Sequence, residues 1–409
     1  MLLRRVVITG VGVVSPFGRG IESLMSGLTA GKSGVVVHPP LSGITGMRTR
    51  VAALATGVDP MEIPRKFRRS MSSMSVFATL AAKDAVAMAG VAGETVTGGR
   101  LGVAVGSTTG SPQTLEEFFR DFGADNSLER MKSTLFFHIM NHSCASNVAQ
   151  ALGVTGRILA PAAACSTSSH AIGYAAEMIG LGKQDFMICG GADEFHPLTS
   201  GTFDIINAAS IAYNDAPTST PRPFDRDRDG IVCGEGSGML LLESLDSALA
   251  RGAQILAEIT GFATNSDPGS IANPDAACIS ECMRLALADA EVAPEEVDYV
   301  NAHATATEQG DIAECSAIAG LFGSQTPVSS LKGHLGHTMA ASGAIELAAC
   351  VEMIRQGVLI PTLNLENVDP LCAGVLHQPE VQWRPVGVVV KNNFALGGVN
   401  STIILRRYQ

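Results

Sequence analysis

The stretch Cys350-Val-Glu-Met-Ile354 repeats, in the second half of a 409-residue chain, the motif Ala175-Ala-Glu-Met-Ile179 of the first. Each copy sits in an Ala-rich segment of helical spacing, so the pair points to an internal duplication. Working outward, Ile8-Thr-Gly-Val11 recurs as Ile259-Thr-Gly-Phe262, each opening a half. Gly102-Val-Ala-Val-Gly-Ser-Thr-Thr109 takes the place held later by Val297-Asp-Tyr-Val-Asn-Ala-His-Ala-Thr305. Met187-Ile-Cys-Gly-Gly-Ala192 and Val388-Val-Val-Lys-Asn-Asn-Phe-Ala-Leu-Gly-Gly398 close the halves as apolar strands with Gly-rich exits. Apolar β-rich runs predict strands over 6–14, 101–105, 185–190, 238–242, 255–261, 297–301 and 386–390. Longer segments predict helices over 71–90, 167–181, 277–290, 312–321 and 340–356. The reading is an α/β chain of two halves, 1–254 and 255–409, whose matching strand-to-helix loops meet at one cleft.

Composition narrows the function. Hydrophobic residues make up 46% and charged residues 16% of the chain, which excludes a disordered protein. No window of 18 or more residues is free of polar interruption, so a membrane-spanning helix is not expected. The 28 basic and 39 acidic side chains give a net charge of −11, which disfavours non-specific nucleic-acid binding. Nine scattered cysteines without metal-ligand spacing read as reduced cytosolic thiols. The opening Met1-Leu-Leu-Arg-Arg-Val-Val-Ile-Thr-Gly10 reads as a first strand, since no small-residue cleavage site follows it.

Three segments carry chemistry. In Pro161-Ala-Ala-Ala-Cys165-Ser-Thr-Ser-Ser-His170, a cysteine stands at the start of a helix, where the macrodipole and free N–H groups favour a thiolate. Asn301-Ala-His303-Ala-Thr305-Ala-Thr307 places His303, Thr305 and Thr307 at period two after a strand, able to face one cleft. Lys332-Gly-His334-Leu-Gly-His337, followed by Glu346 on a helix, adds a second histidine loop and a carboxylate that can reach back to a buried lysine. Removing one member of a Lys332–Glu346 pair is expected to strand a charge at about 3–5 kcal/mol.

These segments, with Asn392-Asn-Phe394-Ala-Leu-Gly-Gly398, resemble the β-ketoacyl-[acyl carrier protein] synthases I and II, elongating condensing enzymes of the thiolase superfamily. The likeness runs from Arg5 to the C-terminus and includes Gly182-Lys-Gln-Asp185, Arg222-Pro-Phe-Asp225 and Ala250-Arg-Gly-Ala253. It implies a duplicated thiolase-like fold of five α/β/α/β/α layers and a cytoplasmic dimer, a homodimer or a heterodimer with a related subunit. The implied reaction is decarboxylative Claisen condensation of an acyl thioester with malonyl-[acyl carrier protein] in fatty acid elongation. Cys165 would hold the acyl chain, and His303 and His337 would serve the enolate. Lys332 and Glu346 would support them, the N–H groups of Cys165 and Phe394 would form the oxyanion hole, and Thr305 and Thr307 would bind phosphopantetheine. No metal or cofactor is implied beyond the carrier's phosphopantetheine. The basic run Arg65-Lys66-Phe67-Arg68-Arg69 is the expected carrier-docking cluster, with Arg130 and Lys132 as a second candidate.

The chain departs from that family at Ala304 and Ala306, where Gly-Thr-Ser-Thr is usual, and at Ala395-Leu396, where Phe-Gly-Phe-Gly-Gly is usual; His334 is additional. These changes point to altered gating and acyl selectivity. A polyketide or aryl-polyene ketosynthase shares the chemistry. A noncatalytic chain-length subunit typically lacks the nucleophile that Cys165 supplies, and a biosynthetic thiolase usually carries a second reactive cysteine where Phe394-Ala-Leu-Gly-Gly stands. Three further motifs read as structural. Gly10-Val-Gly12 lacks the third glycine of a dinucleotide fingerprint. Asp225-Arg-Asp227-Arg-Asp229-Gly230 lacks the bidentate glutamate of a calcium loop. Met71-Ser-Ser-Met74 has core spacing.

Overall fold

Thr9 and Thr260, the central residues of the two Ile-Thr-Gly motifs, occupy the same irregularity in two different strands. On β1 (Val6–Ser15), the register slips between Ile8 and Gly10; on β6 (Ala257–Ser266), it slips between Ile259 and Gly261. Each is a β-bulge, and the glycine after it lies against a helix. A Cβ on Gly10 would come within 2.1 Å of the Ala85 carbonyl oxygen, and one on Gly261 within 2.4 Å of that of Ala286. Gly10 and Gly12 thus serve close helix–strand packing, and the duplication extends to this detail.

The protein is described by a computed structural model covering residues 3–129 and 131–409; Met1, Leu2 and Arg130 lie outside these. Between β1 and β6 run β2 (Leu101–Gly106), β3 (Ile158–Leu159), β4 (Phe186–Asp193) and β5 (Gly236–Ser244). After β6 come β7 (Tyr299–Asn301), β8 (Pro327–Ser329), β9 (Leu376–His377), β10 (Val388–Ala395) and β11 (Val399–Arg406). The first half orders its strands β1-β5-β4-β2-β3, and the second orders them β6-β11-β10-β7-β8-β9. In both halves the first two junctions are antiparallel and those that follow parallel. The two sheets join edge to edge where β1 pairs with β6 over Val6–Ile8.

Helices α1 (Ser73–Ala89) and α2 (Ser143–Leu152) cover the outside of the first sheet, and α4 (Ala276–Asp289) and α5 (Glu308–Phe322) that of the second. Between the sheets lie α3 (Thr167–Gly180) and α6 (Ser342–Gln356), which touch each other and strands of both halves. These are the five layers of the thiolase-like fold. Every residue of α6 from Ser342 to Ile354 is buried, as a helix packed on all sides requires. Strands β1, β4, β5 and β10 are buried at every position, which explains apolar runs such as Val6–Ile8, Met239–Leu242 and Val388–Val390. Sequence patterning missed β11, which forms a hairpin with β10 through Gly397 (φ 92°) and Gly398 (φ 72°). Among the described residues, no helix is long and apolar enough to cross a membrane.

Candidate active site

The reactive positions lie where loops of the two halves converge. Cys165 sits in a tight turn, Ala164–Ser166, leading into α3, with Ala164 in the left-handed region at φ 45°. Such a conformation is costly for a residue with a Cβ and persists only when its surroundings hold it. Here Thr167 Oγ1 accepts from Ala163 N at 2.8 Å, and Ser166 Oγ lies 3.0 Å from Asn393 O and 2.9 Å from Val399 O. The nucleophile's turn is thereby pinned to the β10–β11 hairpin of the other half. The second half repeats the turn ahead of α6, with Met339 at φ 51°, but places Ala340 where the first half has Cys165. The Ala340 N–H donates to Asp193 Oδ2 at 2.8 Å, so this second turn presents neither a nucleophile nor a free amide.

His337 Nε2 lies 2.9 Å from Cys165 Sγ, and the His303 and His337 rings stand nearly perpendicular with centroids 5.3 Å apart. Glu314 on α5 fixes the His303 loop by accepting from His303 N (2.9 Å) and Ala304 N (2.7 Å). Asp311 accepts from Ala306 N at 3.1 Å and holds Ala306 at φ 66°. A cavity of about 480 Å³ opens onto Cys165, His303 and His337, and Thr305, Thr307 and Leu396 also line it.

Behind the histidines, Glu346 on α6 binds two buried lysines, Lys332 at 2.7 Å and Lys391 at 2.8 Å. Two lysines share one carboxylate. Burial, reinforced by Lys332 and Lys391, pushes both histidines well below their ordinary 6.5, so each is neutral at neutral pH with a single N–H. Burial also pushes the Cys165 thiol up to about 11, against the pull of Lys332 and of the Leu396 and Cys165 amides. Against the expectation of a thiolate favoured by its helix, desolvation outweighs the pull of these amides and of Lys332, and the resting sulfur carries its proton beside His337 Nε2. The Cys165, His303 and His337 ligand atoms lie within 4.8 Å of one another, a spacing that could admit a metal ion.

Two family models match the chain, the beta-ketoacyl synthase N-terminal domain over residues 3–248 and the C-terminal domain over 256–366. The chain belongs to the beta-ketoacyl synthase family. It is 35% identical over 412 residues to 3-oxoacyl-[acyl-carrier-protein] synthase 1 of Escherichia coli K12, spanning 99% of each chain. A beta-ketoacyl synthase from Burkholderia phymatum has a TM-score of 0.96 at 42% identity, covering 99% of this chain and 100% of that one. A type II polyketide ketosynthase, solved with its acyl-carrier protein and bound to the hexaketide, has a TM-score of 0.92 at 29% identity over the whole of both chains. The protein is a ketosynthase, a condensing acyltransferase.

Within this ketosynthase the structure brings Cys165, His303, His337, Thr305 and Thr307 to one cavity and joins Lys332 to Glu346 behind it. Phe394 is placed differently from the expectation that its amide serves the oxyanion. It is still within β10, opposite Asn400 of β11, and its ring lies 6.3 Å from that of His303. The amide that reaches the Cys165 sulfur belongs to Leu396, in the turn beyond the strand. The basic run lies apart from the cavity lining. Arg65, Lys66 and Arg69 are exposed, while Arg68 is half-buried and donates to the Pro60 and Ile63 carbonyls, closing the preceding turn. The carboxylates of the Asp225–Asp229 loop are engaged by protein groups: Asp225 accepts from the amides of Asp227, Glu366 and Asn367, and Asp229 from those of Ile211 and Ala212.

Sequence reasoning passed over Lys391 and Glu314, quoted Asn393 only as part of a motif, and read Leu396 for gating and not for its amide. Lys391 carried a signal, a lysine within the otherwise apolar start of a strand, where an unpaired charge is untenable. The others contribute by position in space, which spacing along the chain does not reveal.

Proposed function

We propose that this ketosynthase elongates acyl chains carried on acyl carrier protein, with Cys165, His303 and His337 as its catalytic residues. The observation that carries the reading is the Cys165 Sγ–His337 Nε2 contact of 2.9 Å in a cavity shared with His303. The sulfur attacks the acyl thioester, its proton passes to His337, and the carrier thiolate leaves with that proton. The resulting oxyanion meets the N–H groups of Cys165 and Leu396. Malonyl-carrier protein then enters, with Thr305 and Thr307 hydrogen-bonding its phosphopantetheine. As the bond to CO2 breaks, neutral His303 donates to the enolate oxygen, and His337, no longer facing a thiol proton once Cys165 is acylated, donates there from the tautomer protonated on Nε2. The enolate carbon attacks the acyl-cysteine carbonyl; the thiolate is expelled and recovers a proton from solvent. The scheme needs no metal or redox cofactor.

His303→Ala and His337→Ala are expected to lower CO2 release from malonyl-carrier protein by about 10²-fold or more, as loss of an oxyanion donor does. Scintillation counting of released CO2 measures this; wild-type release by either variant overturns the assignment. His337 Nε2 is the group placed 2.9 Å from the thiol to take its proton as the sulfur attacks, so His337→Ala is expected to slow acyl loading more than His303→Ala does.

The polyketide title among the structural relatives keeps a polyketide or aryl-polyene substrate as the second reading. Mass spectrometry of products formed from malonyl units and a panel of acyl-carrier proteins separates the two. Reduced thiols and the carrier-protein relatives support a cytoplasmic enzyme, and the family a dimer.

For carrier docking, the structure restricts the useful test to the exposed Arg65, Lys66 and Arg69. Their joint replacement by glutamate is expected to raise the KM for acyl-carrier protein about tenfold and to flatten its salt dependence, since exposed charges are screened beyond about 8 Å. Turnover of a short acyl-pantetheine reports on the cavity alone. An unchanged KM for the carrier places docking elsewhere.

A further inference from the structure

Lys391 and Asn393 have no part in the scheme above, yet both are buried within the network that holds His303. The ammonium of Lys391 donates to Asn393 Oδ1 at 2.9 Å and to the Asn392 carbonyl, and forms an ion pair with Glu346 Oε2 at 2.8 Å. Ser169 Oγ lies 2.7 Å from the same Asn393 Oδ1. An ammonium can only donate, so the atom facing Lys391 must be the amide oxygen. The Asn393 side chain is therefore fixed in one of its two orientations, and its NH2 points the other way. That NH2 lies 3.4 Å from His303 Nδ1 and 3.4 Å from Ser342 Oγ. A donor facing Nδ1 requires a lone pair there, and a neutral imidazole with a bare Nδ1 carries its proton on Nε2.

We infer that Lys391 is a positioning residue that fixes, through the orientation of Asn393, the tautomer of His303 with its proton on Nε2. The inference rests on the condensation reading and deepens it, because an N–H on that nitrogen is what an enolate oxygen needs. Of the two lysines on Glu346, Lys332 balances the carboxylate charge, while Lys391 supplies the directional donor that orients the amide.

The test reads the tautomer itself. In protein labelled with 15N-histidine, the ring nitrogens of His303, assigned by comparison with His303→Ala, are expected to show the Nε2–H pattern. Lys391→Met should fold, because Glu346 keeps Lys332, and Asn393 is then free to turn over. A mixture of tautomers is expected, with malonyl decarboxylation at least tenfold slower. Asn393→Asp replaces the donor with an acceptor while remaining beside Lys391, so it is expected to move the proton to Nδ1 and to lower decarboxylation further. Lys391→Arg, which keeps a donor towards Asn393, should restore part of the Nε2–H signal. Denaturant titration follows the fold of each variant. A wild-type Nδ1–H pattern, or an unaltered Nε2–H pattern in both Lys391→Met and Asn393→Asp, overturns the inference. Absence of Cys165 acylation in the wild type would instead overturn the condensation reading and leave the tautomer result standing.

Discussion

Replacing Cys165 with alanine is expected to lower condensation by at least about 10³-fold, the scale on which an enzyme loses its covalent nucleophile. Mass spectrometry after incubation with acyl-carrier protein should find the acyl group on Cys165 in the wild type and on no cysteine in the variant. The structure sharpens the control. Of the nine cysteines only Cys278 is more than slightly exposed, so a general alkylating reagent should find Cys278 readily. Acyl transfer should still select Cys165, since it alone among the cysteines lines the cavity with His303 and His337. Burial pushes the thiols of Cys144, Cys233, Cys282 and Cys350 up to about 12, further limiting their reactivity. An acyl group on any of these would mean that geometry does not choose the nucleophile.

Glu346→Ala is expected to destabilise the protein by about 3–5 kcal/mol or more, because it leaves two buried ammonium groups facing each other without a counter-ion. The sequence expectation treated Lys332 and Glu346 as an isolated pair whose members are equally costly to remove. Lys391 breaks that symmetry: in Lys332→Ala the carboxylate retains a partner at 2.8 Å, so that variant should lose markedly less stability than Glu346→Ala. Urea titration of the two variants side by side decides it. Equal losses would show that Lys391 does not share the charge, and a stable Glu346→Ala would show that neither lysine is held as a cation.

The sequence by itself determined the duplicated α/β architecture and the residue types at its centre. Repeated Ile-Thr-Gly and Glu-Met-Ile motifs are local, and their demands are local too: a bulge followed by a glycine under a helix, and a helix buried on all sides, leave the same trace wherever they occur. Cys165, His303, His337 and Lys332 stood out for a similar reason, as polar residues in small-residue or glycine-flanked segments, and Glu346 as a carboxylate on the Ala-rich helix that follows them. What only the tertiary structure decided depends on distances between segments far apart in the chain. Lys391 and Lys332 share one carboxylate because β10 lies against α6. Leu396 rather than Phe394 reaches the sulfur because β10 runs to Ala395, five residues past its apolar run, so that Phe394 is still paired within the strand and Leu396 lies in the turn beyond it. The protonation of Cys165 was set the same way: a helix N-terminus can be read from sequence, but the depth at which it is buried is fixed only when both halves close over it, and that burial raises the thiol.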